Sequence, residues 1–291
     1  MKDRTRFTWI IAISLGCLVI GHTPKARGEE PPPLPGYKLV WWDDFDGNAL
    51  DQKKWCYRTG GRLLSFQKPE NVRVADGLLH LDLKKEAAGG KAYTAGGVIS
   101  RQRFQYGYYE ARFRVPKAVG WHTSFWTMHY DPPQAAAGAV DDAEQVERGK
   151  SPAGKAAKAQ EIDICEQDAA NTRSYSAGVI DWSGQGGKRT RNFGRVYYKG
   201  KDVPDFSADF HVWCCEFTPQ EVKFYLDGRL AHKTDATKFP HKPQNIWLTS
   251  VAVLWGNPDK PTHMGDAALP AEAVFDYVRF YEKQTSHAPR S

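Results

Sequence analysis

Cysteine, methionine and charge of one sign are all scarce in this 291-residue chain. It has five cysteines and three methionines. Cys17 lies inside an apolar N-terminal run, where it reads as part of that run rather than as a lipid-attachment site. The other four, Cys56, Cys165, Cys214 and Cys215, allow one disulfide at most. Cys214 and Cys215 are strand neighbours that face opposite sides, so they cannot both meet one partner region, and buried thiols are the expected state. No internal repeat is evident, and His129, His211, His232 and His241 have no metal-ligand spacing among themselves, so they receive no role.

The formal net charge of +6 is concentrated at the start of the chain. Lys2, Arg4 and Arg6 precede the apolar run from Phe7 to Ile20, and Ala26-Arg27-Gly28 supplies small residues for cleavage before Glu29, which is the layout of an export signal. The run is short for a spanning helix, although an uncleaved anchor competes with this reading. Removing residues 1–28 takes away five Lys/Arg and one Asp. What remains is 35 basic against 33 acidic residues, a net charge of +2. Nothing in that balance argues for nucleic acid, and an anionic substrate is permitted but not required.

Aromatics are plentiful: 10 Trp, 13 Tyr and 14 Phe. They suit strands and sugar-stacking surfaces alike. After a Pro-rich lead-in at 29–36, the chain reads as short strands bounded by Gly, Asp and Pro, at 78–85, 106–115, 221–234, 246–255 and 273–283. Asp227-Gly228 between "KFYL" and "RLAHK" marks a hairpin. Such spacing predicts an all-β sandwich. One segment departs from it: residues 131–160 are rich in Ala, Gly and Lys and read as a surface insertion, with a short helix at 140–148.

"EIDICEQ" (161–167) carries the chemistry. Period two puts Glu161 and Asp163 on one face and Glu166 on the other. A β-bulge at Ile164-Cys165 would bring Glu166 round to join them, with Ile162 and one of Ile164 or Cys165 facing the core. Three clustered carboxylates raise at least one pKa, which a purely structural strand has no reason to sustain. Two such groups suit glycosidic-bond cleavage, where about 5 to 5.5 Å between them marks the retaining route. Four strand steps at roughly 3.3 Å put the two backbones about 13 Å apart, so the sheet must curve and both side chains must lean inward. Exposed acids on an edge strand are the competing explanation. The apolar residues between the acids weigh against it.

At this point Glu161-Ile-Asp163-Ile-Cys-Glu166 resembles the bulged E-x-D-x-x-E active-site strand of glycoside hydrolase family 16. "WWDDFDGNALDQKKW" (41–55), "FQYGYYEARFRVP" (104–116), "DFHVWCCEFTPQEVKFYLDGRL" (209–230) and "FDYVRFYEK" (275–283) resemble further family segments in the expected order. The resemblance implies a jelly-roll β-sandwich of two curved antiparallel sheets, concanavalin A-like, over residues 37–284, followed by a tail at 285–291. It implies Glu161 as nucleophile, Glu166 as general acid/base and Asp163 assisting Glu161.

Sugar rings stack their C–H faces on aromatics. "GWHTSFWTMHY" (120–130) resembles the family's cleft strand, which makes Trp121, His122 and Trp126 substrate-binding candidates, with Phe125 in the core. Trp182, beside Asp181, and Arg101 are further candidates. The expected protein is an exported, monomeric, retaining endo-glycosidase that cleaves β-1,3-glucan or a marine galactan. It needs no cofactor for catalysis, and a structural calcium near Asp276 is compatible with the resemblance. It binds a polysaccharide, no nucleic acid, and no membrane once the signal is cleaved. A transglycosylase with the same covalent intermediate, a non-catalytic sugar-binding sandwich and a structural cell-surface sandwich are the alternatives. The insertion at 131–160 would emerge beside the active-site strand, as a lid or as a solvent-exposed loop.

Overall fold

Alternation of large apolar with polar residues sends every second side chain to one face of a strand, and two such faces bury each other in this chain. The computed structural model describes residues 34–128, 160–182, 191–199, 203–239, 241–254 and 263–284. The expected export signal, most of the Pro-rich lead-in, the expected insertion up to residue 159 with the short helix expected at 140–148, His129 and the C-terminal tail lie outside them.

The described strands form two sheets, numbered in chain order. The larger runs β16 (Arg229–Asp235), β15 (Glu221–Leu226), β14 (His211–Phe217), β9 (Gly107–Arg114), β18 (Ala271–Lys283), β6 (Leu78–Lys84), β7 (Tyr93–Ala95), β4 (Ser65–Gln67) and β3 (Gly60–Arg62), with β1 (Tyr37–Asp43) on β18 and β5 (Val72–Ala75) on β6. The smaller runs β13 (Arg191–Lys199), β12 (Ser174–Asp181), β11 (Gln160–Asp168), β10 (Trp121–Met128), β17 (Gln244–Ala252), β8 (Gly97–Phe104) and β2 (Trp55–Tyr57). Pairing is antiparallel except between β4 and β7. This is the jelly-roll sandwich expected from the sequence.

Between the sheets lies one apolar core. Tyr109, Ala111 and Phe113 of β9 and Trp213, Cys215 and Phe217 of β14 meet Phe125 of β10, Ile162, Ile164 and Cys165 of β11, and Tyr175, Ala177 and Val179 of β12. Phe113 stacks on Trp213 at 4.1 Å and on Phe275 at 4.6 Å between ring centroids. Each such fully buried large side chain contributes about 1.5–3 kcal/mol relative to an exposed one. The β15–β16 hairpin turns on Asp227-Gly228, with φ of 48° and 75°, the left-handed pair that a tight hairpin needs and that Gly adopts without a Cβ penalty. The four described cysteines are free thiols. Cys215 points into the main core and Cys214 to the opposite face, as strand parity requires.

Candidate active site

The β11 backbone carries one residue more than either neighbour can match. Against β10 the pairing steps from Phe125 opposite Cys165 to Trp126 opposite Asp163. Against β12 it steps from Asp163 opposite Gly178 to Glu166 opposite Ser176. The extra residue is a β-bulge at Ile164-Cys165. Both Ile164 and Cys165 enter the core, where the sequence reading placed one of them. Two successive inward residues are what turn Glu166 outward, onto the face that already holds Glu161 and Asp163.

That outward face of the smaller sheet is a grid fixed by register. Along β10, His122, Ser124, Trp126 and Met128 lie opposite Asp168, Glu166, Asp163 and Glu161 of β11. On the other side of β10, β17 sets Trp247 beside Trp126 and Thr249 beside Ser124. Trp126 stacks on Trp247 at 4.7 Å between centroids, and its Nε1–H donates to Thr249 Oγ1 at 3.0 Å. The Arg58 guanidinium lies 5.7 Å over the Trp247 ring. Trp182 packs against this aromatic floor, and its Nε1–H donates to Glu161 Oε2.

The acids differ in their partners and burial. Asp163 is 2% exposed, whereas Glu161 and Glu166 are half-buried. Glu166 Oε2 accepts from Ser176 Oγ at 3.2 Å, and its Oε1 lies 3.2 Å from His122 Nε2. The other ring nitrogen, Nδ1, lies 2.9 Å from Asp168 Oδ1. Charge-assisted bonds of this kind fix orientation as well as charge.

The sequence candidates divide accordingly. Trp126 and Trp182 reach the face of the three acids. His122 reaches it too, with both ring nitrogens against carboxylates. Trp121 does not: it is 1% exposed and packs with Leu83, Ala95, Ala118 and Ala252. It shares parity with the core residue Phe125 four positions on, so period two turns it away from His122 and Trp126. Arg101 is exposed and gives its Nε–H to the backbone carbonyls of Gln52 and Trp55, so its described contacts tie it to that loop. Asp276 holds the Arg112 guanidinium, a cation already in place where a calcium was considered. Among the described residues no group of three or more His, Cys, Asp or Glu is arranged to hold a metal.

Sequence reasoning missed Trp247, Arg58, Ser176 and Asp168. For Trp247 the signal was present, since Ile246 and Leu248 on the core parity leave Trp247 on the other. Asp168 was not legible in this way, because its partner His122 is set by the register of two strands separated by a long segment.

A family model described as the beta-porphyranase A–D GH16 domain matches residues 41–283. A beta-glucanase of Rhodothermus marinus is 27% identical over 309 aligned positions, covering 97% of this chain and 95% of that protein. Beta-porphyranase E of Zobellia galactanivorans is 26% identical over 253 positions, 82% of this chain and 85% of its own. The catalytic domain of an endo-1,3-beta-glucanase (laminarinase) from Thermotoga petrophila superposes with a TM-score of 0.66 at 25% identity, covering 86% of this chain and 99% of that one.

Proposed function

Because the chain belongs to glycoside hydrolase family 16 and is an endo-acting β-glycosidase, we propose that Glu161, Asp163 and Glu166 perform a double displacement that retains anomeric configuration. The Glu161 carboxylate attacks the anomeric carbon as the glycosidic C–O bond breaks, and Glu166 gives its proton to the departing oxygen. Water then attacks the same carbon, loses its proton to Glu166 and releases Glu161. The Trp182 N–H on Glu161 Oε2 aims the other carboxylate oxygen, Oε1, at the substrate. Asp163, buried between the two Glu positions, assists Glu161. The observation that carries this reading is the bulge, which sets three carboxylates on one half-buried face.

The substrate proposed is a polysaccharide of the porphyran type, on the strength of the family model over residues 41–283. A β-1,3-glucan is the second reading, favoured by the glucanase relatives. The rings stack on Trp126 and Trp182, and the fully buried Trp247, stacked against Trp126, supports that surface. An enzyme for polymers of this size works outside the cytoplasm, in keeping with the export layout of residues 1–28. Its action needs no metal, no nucleic acid, no membrane and no second subunit.

The test is reducing-end release by residues 29–291 on porphyran, agarose, laminarin, mixed-linkage glucan and carrageenan, with Glu161→Gln alongside. Release from porphyran that the variant abolishes is expected. Release from laminarin alone transfers the substrate to the second reading, and turnover that survives Glu161→Gln removes the mechanism. Longer products formed with an added oligosaccharide acceptor would show transfer in place of hydrolysis.

A further inference from the structure

His122 is tied to the acid/base carboxylate in a way that sugar binding does not explain. It is 9% exposed, it lies directly opposite Asp168 in register, and its two nitrogens lie 2.9 Å from Asp168 Oδ1 and 3.2 Å from Glu166 Oε1. An imidazole with a carboxyl oxygen on each side leaves no lone pair facing another in three arrangements of the same protons, and in two of them Asp168 stays ionised. In those two, an imidazolium donates to both carboxylates, or a neutral ring donates Nδ1–H to Asp168 while a protonated Glu166 donates to Nε2. The two hold the same number of protons and differ by one proton moved between Oε1 and Nε2.

We propose that His122 and Asp168 are positioning residues that keep this proton available to Glu166; the inference rests on the reading of Glu166 as general acid/base. In the first half-reaction the shared proton leaves on the glycosidic oxygen, and it is returned by the water that hydrolyses the glycosyl-enzyme. Losing it to solvent instead would face the Nε2 lone pair with the Glu166 carboxylate, so the pair releases it at higher pH than Glu166 alone would. Other groups near Glu166 on this face are Glu161, Asp163 and Asp168 of its own strand, Ser124 on β10, Ser176 on β12, and Thr249 and Val251 on β17. Among the described residues β12 and β17 bring no ionisable side chain opposite it in register, and His122 on β10 is an ionisable group within reach of its carboxyl.

The experiment is the pH profile of kcat/KM on the polysaccharide that the wild type cleaves, for His122→Gln, Asp168→Asn and Glu166→Gln. The expected result is a basic limb lowered by about one pH unit or more in His122→Gln, whose amide still donates to Glu166 but carries no titrating proton. A smaller lowering is expected in Asp168→Asn. A basic limb that is unmoved or raised in these two variants, with activity lost evenly at every pH, overturns the inference and leaves His122 a structural residue. Asp168→Asn carries the test alone if His122→Gln does not fold. Glu166→Gln separates the two layers: if it retains full turnover, the acid/base reading itself falls, whereas silent Glu166→Gln beside unshifted limbs removes only the dyad.

Discussion

Both outward faces of this sandwich combine aromatic rings with buried carboxylates, yet they make opposite use of them. On the larger sheet, Tyr37 and Tyr225 stand at Glu216, and a cavity of about 470 Å³ is lined by Glu110 together with Tyr108, Tyr225, Tyr277 and Tyr281. There Glu216 has donors built for it. Tyr37 Oη donates to Glu216 Oε1 at 2.8 Å, and Lys223 Nζ, opposite it in register, donates to Oε2 at 3.1 Å. Burial raises the Glu216 pKa, but the Tyr37 and Lys223 donors outweigh it and hold the carboxyl below its ordinary range. Burial in turn pushes the Tyr225 hydroxyl, beside that carboxylate, up to about 12. On the smaller sheet a bulge gathers Glu161, Asp163 and Glu166 along one strand, where they answer to an indole, a hydroxyl and an imidazole. Aromatics and acids in a hollow are therefore not enough for chemistry. What distinguishes the two faces is that Glu216 is held by its own donors, whereas three carboxylates are gathered along one strand, the arrangement on which the proposed acid and nucleophile roles rest.

The same Glu-to-Gln change on each face should separate these roles. Glu161→Gln is expected to lower kcat by about 10³-fold or more, the scale of losing a catalytic group, with a thermal midpoint within a few degrees of wild type. Trp182→Phe, which removes the N–H on Glu161 and trims a ring on which the sugar is proposed to stack, should lower kcat by about 10-fold, the worth of one hydrogen bond to a charged group, and raise KM as stacking area is lost. Glu216→Gln should leave turnover untouched and cost about 1–2 kcal/mol in urea unfolding at neutral pH. The sign follows from the lowered folded pKa: the contribution is present above the unfolded carboxyl's pKa of 4.5 and is lost as pH falls through the folded value. The gap between wild-type and Glu216→Gln stability should therefore narrow as pH falls below 4.5. A Glu216→Gln enzyme that lost turnover while remaining folded would erase the distinction between the faces.

Strand parity made most of the fold legible, and parity also explains the errors. The three acids could be assembled in advance because Glu166 sat at the wrong position for a flat strand, and the only repair was a bulge between Asp163 and Glu166. That both Ile164 and Cys165 turn inward was not legible, since a bulge can send either residue to the core. Trp121 was misplaced because it was grouped with Trp126, five residues away. Without a bulge, residues five apart face opposite sides, and β10 runs in unbroken register against β17. The His122–Asp168 contact depends on which residues of β10 and β11 stand opposite one another. Local pattern does not encode that register across a separation of 46 residues.

The smallest expected effect belongs to a carboxylate on neither face. Asp205 lies between β13 and β14, where it accepts from the Ser207 hydroxyl at 2.7 Å and the Ser207 backbone N–H at 3.0 Å. Hydrogen bonds from the Ser207 and Thr172 side chains hold its pKa down at about 2. The acid caps a turn whose neighbour, Phe206, is fully buried in the core. A depressed folded pKa means that its contribution is complete above the unfolded value of 3.8 and fades as pH falls toward 2. Solvent screens this site, so Asp205→Asn should cost only about a few tenths of a kcal/mol at pH 7. The difference from wild type should vanish by about pH 2 in acid-unfolding curves. An Asp205→Asn curve parallel to wild type through that range would mean that the turn is held by Phe206 packing alone, and that hydrogen bonds to a half-buried carboxylate at this turn count for less than those on either sheet face.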